Sequence, residues 1–263
     1  MRALALGTDA LVFVSSFWQT TCTAIRAGEE GFMIDSPVYP EELEALPKVL
    51  EQAGFPVSGL LATHGDWDHL LGREAFPGAS LGCGESTAQR LTAEPGAAQR
   101  ELREFDDEHY VAGRPPLSLA PYQALPVPGR LSLGADHELE VHPADGHTVD
   151  GVAFVMPWLR VLVCGDYLSP VEIPWISDGG SLEAYVATLA RLKPLVESVD
   201  DVVPGHGGPI ERDRALAILD EDLRYLEALR SDGAEAQLPD GRQTSAQRKI
   251  HEQNVTQTTT TTS

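Results

Sequence analysis

Residues 60–72 read LLATHGDWDHLLG, and this stretch places four side chains that can bind a cation close together in the chain. They are His64, Asp66, Asp68 and His69. The apolar residues before them predict a buried strand, and the residues after them predict the start of a helix. Imidazoles and carboxylates packed this closely lose hydration and repel one another unless a positive charge lies among them. The stretch therefore predicts a metal site in a tight loop at the end of a strand.

The composition is that of a globular protein with a strong excess of acidic residues. Of 263 residues, 42% are hydrophobic, which is enough to bury a sizeable core. The 40 acidic residues against 19 basic ones give a formal net charge of −21. A field of that sign repels nucleic-acid phosphates and anionic membrane surfaces. We therefore expect a small-molecule substrate, and neither nucleic acid nor a membrane as a partner.

Cysteine usage and the first residues bear on the cellular compartment. Cys22, Cys83 and Cys164 are far apart and form no CxxC pair, which predicts reduced structural side chains. The opening residues, MRALALGTDALVFVSS, lack the long apolar segment and the cleavage site of a signal peptide. No window approaches the roughly 20 apolar residues that span a bilayer. We expect a cytoplasmic protein.

Strand and helix patterns alternate along the chain. Two short apolar runs flank the GEEG sequence at residues 28–31 and predict a β-hairpin, and residues 41–53 carry apolar side chains at helical spacing. Further helices are predicted at residues 181–195, with Ser181 as the N-cap, and at residues 213–230. This alternation is typical of a layered α/β protein.

The predicted organisation is a single domain over residues 1–230. Residues 86–128 interrupt the alternation, and their prolines follow no regular period. We interpret this segment as an insertion that serves either as a lid over a pocket or as a surface excursion. Residues 231–263 are polar, and the low-complexity run at residues 256–263 is predicted to be disordered.

Three later strand ends repeat the pattern of the first stretch. In each, an apolar run ends in a Gly-rich turn that carries a ligand-type residue, and these residues are His147, Asp166 and His206. Active sites of α/β folds gather at strand ends along one edge of the sheet. One such turn alone indicates little. Four of them in order predict that all these side chains meet at a single site.

Together, these residues resemble the ordered metal-binding motifs of the metallo-β-lactamase superfamily, and the resemblance extends over nearly the whole chain. It implies an αββα four-layer sandwich with metal ions at one edge of its two sheets. It also implies a dinuclear centre, with a first metal on His64, the residue at position 66 and His147. The second metal would take the remaining ligands, Asp68, His69 and His206, with Asp166 bridging both.

One position departs from the family motif. The family has a histidine where this chain has Asp66, so that HxHxDH becomes HxDxDH. Oxygen ligands bind zinc, iron and manganese, and a carboxylate therefore leaves all three available, with zinc as the first expectation. The carboxylate also adds a negative charge to the ligand set. Aspartate differs in length from histidine, and the sequence leaves open whether Asp66 reaches a metal.

The resemblance implies a chemistry as well as a fold. A hydroxide held between two divalent cations is nucleophilic near neutral pH and attacks a carbonyl or phosphoryl centre. Asp68 and Asp166 are the candidates for moving the proton. We therefore expect a hydrolase of a small ester, thioester or lactone. Two alternatives stay open: a mononuclear iron dioxygenase of the same superfamily, and a non-catalytic metal- or ligand-binding protein. Trp67, Tyr110 and Tyr167 are weaker candidates for substrate contacts.

Overall fold

A seven-stranded sheet forms the N-terminal part of the computed structural model, which describes residues 1–260. Its strands lie side by side in chain order: β1 (Arg2–Ala5), β2 (Ala10–Val14), β3 (Thr21–Ala27), β4 (Glu30–Asp35), β5 (Gly59–Ala62), β6 (Ser80–Gly84) and β7 (Tyr122–Leu125). Strands β1 to β4 pair antiparallel, and the turn between β3 and β4 is the predicted hairpin. Strands β4 to β7 pair parallel, because longer connections carry the chain back between them.

A six-stranded sheet forms the second half, with the spatial order β13-β12-β11-β10-β9-β8. Its strands are β8 (Gly129–Leu133), β9 (His137–Pro143), β10 (Val152–Met156), β11 (Val161–Val163), β12 (Asp201–Val203) and β13 (Ile210–Glu211). The β11–β12 pair is parallel, since a long helix connects these two strands. The other pairs are antiparallel.

Helices cover the outer faces of both sheets. Within residues 1–260 the α-helices are α1 (Pro40–Ala53), α2 (Gly72–Ala75), α3 (Glu85–Ala93), α4 (Ala97–Glu108), α5 (Leu182–Ser198), α6 (Arg212–Asp232) and α7 (Ser245–Thr260), with 3-10 turns at Trp67–His69 and Gly233–Glu235. Helix α5 starts as predicted, because the Ser181 hydroxyl accepts the backbone N–H of Ala184. No helix among these residues has the length and apolar character needed to cross a membrane.

Three apolar cores arrange these elements in four layers. The core between the sheets includes Ile34 and Leu61 from the first sheet and Phe154 and Val163 from the second, all buried. A second core lies between the first sheet and helices α1, α3 and α4, and a third lies between the second sheet and helices α5 and α6. The layer order is therefore helix, sheet, sheet, helix. The predicted αββα sandwich is confirmed.

The segment at residues 86–128 is joined to the fold more closely than an insertion would be. Strand β7 pairs with β6 and forms the edge of the first sheet. Helices α3 and α4 contribute Ala88, Leu102 and Phe105 to the core beneath that sheet. The strand has four residues between prolines, so no periodicity revealed it in the sequence. Helix α4 also packs against the 3-10 turn Trp67–His69, which places this segment beside the predicted metal loop.

The C-terminal segment is helical up to residue 260, so the prediction of disorder is wrong for residues 256–260. The side-chain oxygen of Asn254, which is fully buried, accepts the backbone N–H of Ile176 at 2.8 Å. The side-chain oxygen of Gln247 accepts the backbone N–H of Ile173 at 2.7 Å. These partners are distant in sequence, and the composition of the segment could not reveal them. The same prediction for residues 261–263 lies outside the described residues.

Candidate metal centre

Four strand ends bring all seven predicted ligands to one edge of the sandwich. Strand β5 leads into the loop of His64 to His69, and the chain leaves β9, β11 and β12 at the other three positions. Main-chain hydrogen bonds tie the two sheets together here, including Val152 N–H to the Thr63 carbonyl at 2.7 Å. The predicted ligands are His64, Asp66, Asp68, His69, His147, Asp166 and His206, whose side-chain atoms form three overlapping groups that could hold a metal ion.

The first group consists of His64, Asp66 and His147. The Oδ2 atom of Asp66 lies 3.7 Å from His64 Nε2 and 3.5 Å from His147 Nε2. One potential ligand atom from each residue lies within 4.8 Å of the others, close enough to share one cation. Asp66 therefore reaches the same point as the two imidazoles, and its difference in length from histidine does not exclude it from the group.

The second group consists of Asp68, His69 and His206. The Oδ2 atom of Asp68 lies 3.6 Å from His69 Nε2 and 3.6 Å from His206 Nε2. The Ser36 hydroxyl fixes the 3-10 turn that carries two of these residues, since it donates to the Asp68 carbonyl and accepts the backbone N–H of Leu71. The turn thus presents consecutive side chains to one point.

Asp166 lies between the two groups. Its Oδ2 atom is 3.3 Å from His147 Nε2 and 3.4 Å from His206 Nε2, and its Oδ1 atom is 3.2 Å from His69 Nε2. A side chain at position 205 would overlap Asp166 Oδ1, so glycine is required there for this close approach. Oδ2 thus lies near imidazoles of both groups and Oδ1 lies near the second group, so this carboxylate is placed to bridge two cations.

Two of the imidazoles are oriented by the first sheet. Thr63 Oγ1 lies 3.0 Å from His64 Nδ1 and donates its own hydrogen bond to Asp35 Oδ2 at 2.9 Å. The same Asp35 oxygen lies 3.1 Å from His69 Nδ1. A histidine held at Nδ1 presents Nε2 to a metal, and the carboxylate behind it raises its basicity. Asp35 is therefore a supporting residue of the centre.

The other two imidazoles are oriented by loops of both sheets. The Trp175 carbonyl lies 2.8 Å from His147 Nδ1, and the Trp18 carbonyl lies 3.1 Å from His206 Nδ1. The Tyr167 hydroxyl accepts the backbone N–H of His147 at 2.9 Å and donates to the Asp145 carbonyl at 2.8 Å. All four histidines thus direct Nε2 toward the same space.

The atoms that face this space lack hydrogen-bond partners within the described chain. They are the Nε2 atoms of His64, His69 and His147 and the Oδ1 atom of Asp166, all of them buried. Buried polar atoms are nearly always satisfied in folded proteins, and leaving one unpaired is costly. Nitrogen and carboxylate donors that converge without partners fit a site for divalent cations.

The electrostatics of the site also favour the binding of cations, because several carboxylates lie among the imidazoles. Burial lowers the pKa of His69, but Asp68, Asp166 and Asp35 outweigh it and hold that pKa well above its usual value. Burial also lowers the pKa of His147, but the nearby carboxylates of Asp66 and Asp166 outweigh it and raise this pKa to about 9. In the absence of cations, protons on imidazoles balance the carboxylates. Divalent cations would replace those protons.

Two carboxylates of the site, Asp166 and Asp66, stay ionised in this environment. Burial raises the pKa of Asp166, but the imidazole of His206, followed by those of His69 and His64, holds it well below its usual range. The pKa of Asp66 is also held well below its usual range, because the neighbouring imidazoles of His147 and His64 outweigh the effect of burial. Metal ligands must be deprotonated, so both side chains are ready for that role.

Three tyrosine and tryptophan side chains were predicted as weaker candidates for substrate contacts. Trp67 is buried at the base of the loop, with its ring 4.6 Å from that of Phe105 and 5.8 Å from that of Trp18. Tyr110 is 92% exposed. Tyr167 is 2% exposed and its hydroxyl bonds to two backbone groups, so its side chain packs in the core behind His147.

Sequence reasoning missed several supporting residues. Asp35 at the end of β4, Arg90 on α3 and Trp175 in the loop before α5 each contact a predicted ligand. Asp35 ends a strand, which was a usable signal, and it has a positive φ of 59° that marks a special backbone position. Arg90 lies in the middle of a helix, 24 residues from its partner Asp66, and no local pattern indicates the contact.

Comparisons with known proteins identify the family of this chain. A sequence profile described as the metallo-beta-lactamase superfamily matches residues 16–206. A metallo-beta-lactamase family protein from Thermus thermophilus, TTHA1429, is 20% identical and has a TM-score of 0.68; the match covers 97% of this chain and 95% of that chain. A metallo-beta-lactamase from Pontibacter korlensis is 19% identical with a TM-score of 0.60, covering 83% of this chain and 98% of that one.

A third solved structure, TTHA1623 in a di-iron-bound form, is 21% identical with a TM-score of 0.61; the match covers 78% of this chain and 96% of that chain. At these identities the structures show a shared fold. The sequence profile covers more than half of the chain and extends through His206, the last of the ordered ligands. The predicted resemblance is therefore confirmed: this chain belongs to the metallo-beta-lactamase superfamily.

Proposed function

We propose that this protein is a metal-dependent hydrolase that cleaves a small ester, thioester or lactone. The observation that carries the proposal is the pair of ligand groups around His64 and His69, which both meet the central Asp166. Two divalent cations held there would supply Lewis acidity and would activate water near neutral pH. We propose zinc, with iron or manganese as the alternatives that a carboxylate ligand allows.

Asp68 and Asp166 are the proposed catalytic carboxylates. Each side chain is 9% exposed. Both carboxylates therefore contact the predicted metal ligands and keep a small part of their surface open to solvent. Asp166 stays ionised among the imidazoles. Its carboxylate is therefore suited to accept a hydrogen bond from the attacking water and to hold that water in a fixed orientation. The Asp68 carboxylate borders the second group and is the proposed group for moving the proton from the nucleophile to the leaving group.

A cluster of rings beside the site supports an apolar substrate group. We define this aromatic wall as the rings of Phe17, Trp18, Trp67, Phe105 and His109, each of which contacts at least one other. Trp18 is 47% exposed, and its carbonyl contacts His206, so the wall borders the second ligand group. A large ring left open beside the ligand atoms is suited to bind an apolar acyl or alcohol group.

The charge of the chain supports a small substrate that is neutral or cationic. With a net charge of −21, the protein repels phosphate-rich partners. We therefore propose that the partner is a small molecule rather than a nucleic acid or a membrane. We also propose that the protein acts in the cytoplasm, where its three buried free cysteines would stay reduced.

The test is hydrolysis of a small panel of esters, thioesters and lactones by protein loaded with zinc, manganese or iron. We expect activity in at least one class, and a loss of at least 100-fold in kcat in Asp166→Asn, since this variant keeps the side-chain shape and removes the central charge. Asp136→Asn, in an exposed turn, is the matched control and should keep full activity. Equal activity of the two variants would contradict the proposal.

Two other outcomes would favour the alternatives. One iron per chain together with thiol-dependent consumption of oxygen would favour the dioxygenase. A melting temperature that does not respond to zinc, manganese or iron would favour the non-catalytic binding protein with a degenerate metal site, because a ligand that binds the folded state raises its stability.

A further inference from the structure

Arg90 on helix α3 makes a direct contact with the one residue that departs from the family motif. Its Nη1 atom donates to Asp66 Oδ1 at 2.8 Å and to Asp150 Oδ1 at 2.9 Å. The Arg90 side chain is 17% exposed and the Asp150 side chain is fully buried. Ion pairs with this little solvent are screened weakly and hold a defined geometry. Arg90 therefore fixes the position of the Asp66 carboxylate.

The two oxygens of Asp66 have different environments. Oδ1 accepts the hydrogen bond from Arg90, whereas Oδ2 faces His64 Nε2 and His147 Nε2. A carboxylate in this arrangement offers one oxygen to a cation, because the other is occupied by the guanidinium. Without Arg90, both oxygens would be free to bind the same ion.

Asp150 extends this arrangement to the backbone of the metal loop. Its Oδ2 atom accepts the backbone N–H of Gly65 at 2.9 Å. A side chain at position 65 would lie 3.1 Å from that oxygen and 3.4 Å from the Arg90 stem, so the loop packs tightly against both. The guanidinium, the two carboxylates and the loop backbone thus form one connected network beside the first ligand group.

The positive charge of Arg90 also reduces the negative charge that Asp66 brings to the first ligand group. A cation at 2.8 Å attracts electron density from the carboxylate and offsets its negative charge. The family histidine at this position would be a neutral ligand with one donor atom. Asp66 held by Arg90 is a ligand with one donor atom and reduced charge, which makes the pair an approximate substitute for that histidine.

We propose that Arg90 is a positioning residue that makes Asp66 a one-oxygen ligand and thereby favours zinc over manganese at the first ligand group. Zinc prefers four ligands in a tetrahedral arrangement, whereas manganese takes more oxygen ligands in an octahedral one. Freeing the second oxygen of Asp66 adds an oxygen ligand and removes this preference. The inference rests on the proposed metal centre.

The test is a double-mutant cycle on metal affinity, with Arg90→Gln, Asp66→His and the double variant. Zinc and manganese affinities of the full-length protein are measured by competition with a chelator. We expect Arg90→Gln to weaken zinc binding at one site by about 10- to 100-fold, as for other residues that orient a metal ligand. The ratio of zinc to manganese affinity should fall with it. Arg100→Gln, an exposed arginine on the neighbouring helix, is the matched control and should change neither value.

The Asp66→His background separates a specific role from a structural one. There the carboxylate is gone, so Arg90→Gln should change zinc affinity by less than about 3-fold or strengthen it. An equal loss in both backgrounds would overturn the proposal, as would an unchanged zinc-to-manganese ratio in Arg90→Gln. If Arg90→Gln does not fold, the double variant decides: its zinc affinity should lie within about 3-fold of that of Asp66→His alone or be higher, and a larger loss would overturn the proposal. Failure of the metal centre itself would be seen separately, as wild-type protein that binds neither metal.

Discussion

Arg242 connects the C-terminal segment to the loop that supports the metal centre, and its replacement by methionine is expected to destabilise the protein strongly. The guanidinium is 1% exposed and donates to Asp222 Oδ1 at 2.7 Å and to the Glu172 carbonyl at 2.8 Å. It also reaches the Ser169 carbonyl at 3.2 Å. In Arg242→Met the buried carboxylate of Asp222 loses its counter-charge and two loop carbonyls lose a donor.

The size of the effect follows from burial. Breaking a buried ion pair by removing one partner costs about 3–5 kcal/mol. Methionine retains part of the apolar packing of the arginine stem, so we expect about 3 kcal/mol, at the lower end. In a chain of this size that corresponds to a melting temperature lower by roughly 6–12 °C.

The pH dependence gives the prediction a second signature. Burial raises the pKa of Asp222 to about 7 even with Arg242 beside it, and loss of the arginine raises it further. The folded state then binds more protons than the unfolded state, so stability falls as the pH rises toward the folded-state pKa. In wild type, the titration of Asp222 stops lowering the stability above about pH 7. In the variant, whose Asp222 has a higher pKa, the stability continues to fall above this pH. The deficit of Arg242→Met should therefore be larger at pH 8 than at pH 6.

The assay is urea unfolding followed by far-UV circular dichroism at both pH values. Arg248→Met, an exposed arginine on the following helix, is the matched control and should stay within about 0.5 kcal/mol of wild type. A loss of less than about 1 kcal/mol in the free energy of unfolding at both pH values would refute the reasoning, because removing one partner of a buried ion pair should cost more than that. A deficit that shrinks with rising pH would refute the titration of Asp222.

Three further predictions concern the site itself. Asp35→Asn removes the charge behind His69 and should weaken metal binding by about 10- to 100-fold in a chelator competition; unchanged affinity would show that the carboxylate is not needed. Tyr167→Phe removes a buried hydroxyl with two backbone partners and should lower stability by about 1–3 kcal/mol in thermal unfolding, while a raised KM with unchanged stability would contradict its supporting role. Zinc affinity should fall as the pH decreases from 9 to 6, because the pKa of His147 is about 9 and that of His206 about 10 in the cation-free protein, so protons compete; a flat profile would contradict this.

The fold and the ligands were predictable where the signal is local. The helix at Leu182–Ser198 follows from apolar spacing and a serine cap, and the ligands follow from glycine turns at the ends of apolar runs. In both cases the residues that carry the information are neighbours in the chain. The order of the four turns then indicated the family and, with it, the sandwich.

The remaining features depend on contacts between distant residues. Asn254 lies in a threonine-rich helix of weak amphipathic character and is held by Pro174 and Ile176, about 80 positions away. Tertiary hydrogen bonds of this kind override local propensity. The contact between Arg90 and Asp66 is of the same type, since neither residue has a local pattern that specifies the other.

Metal content is the most direct test of the two-metal centre. The measurement is inductively coupled plasma mass spectrometry on wild type and Asp166→Asn after loading with zinc and removal of free metal. We expect about two ions per chain in wild type and fewer in the variant, because Asp166 lies between both ligand groups. A wild-type content of one ion or fewer, unchanged in Asp166→Asn, would contradict the two-metal centre.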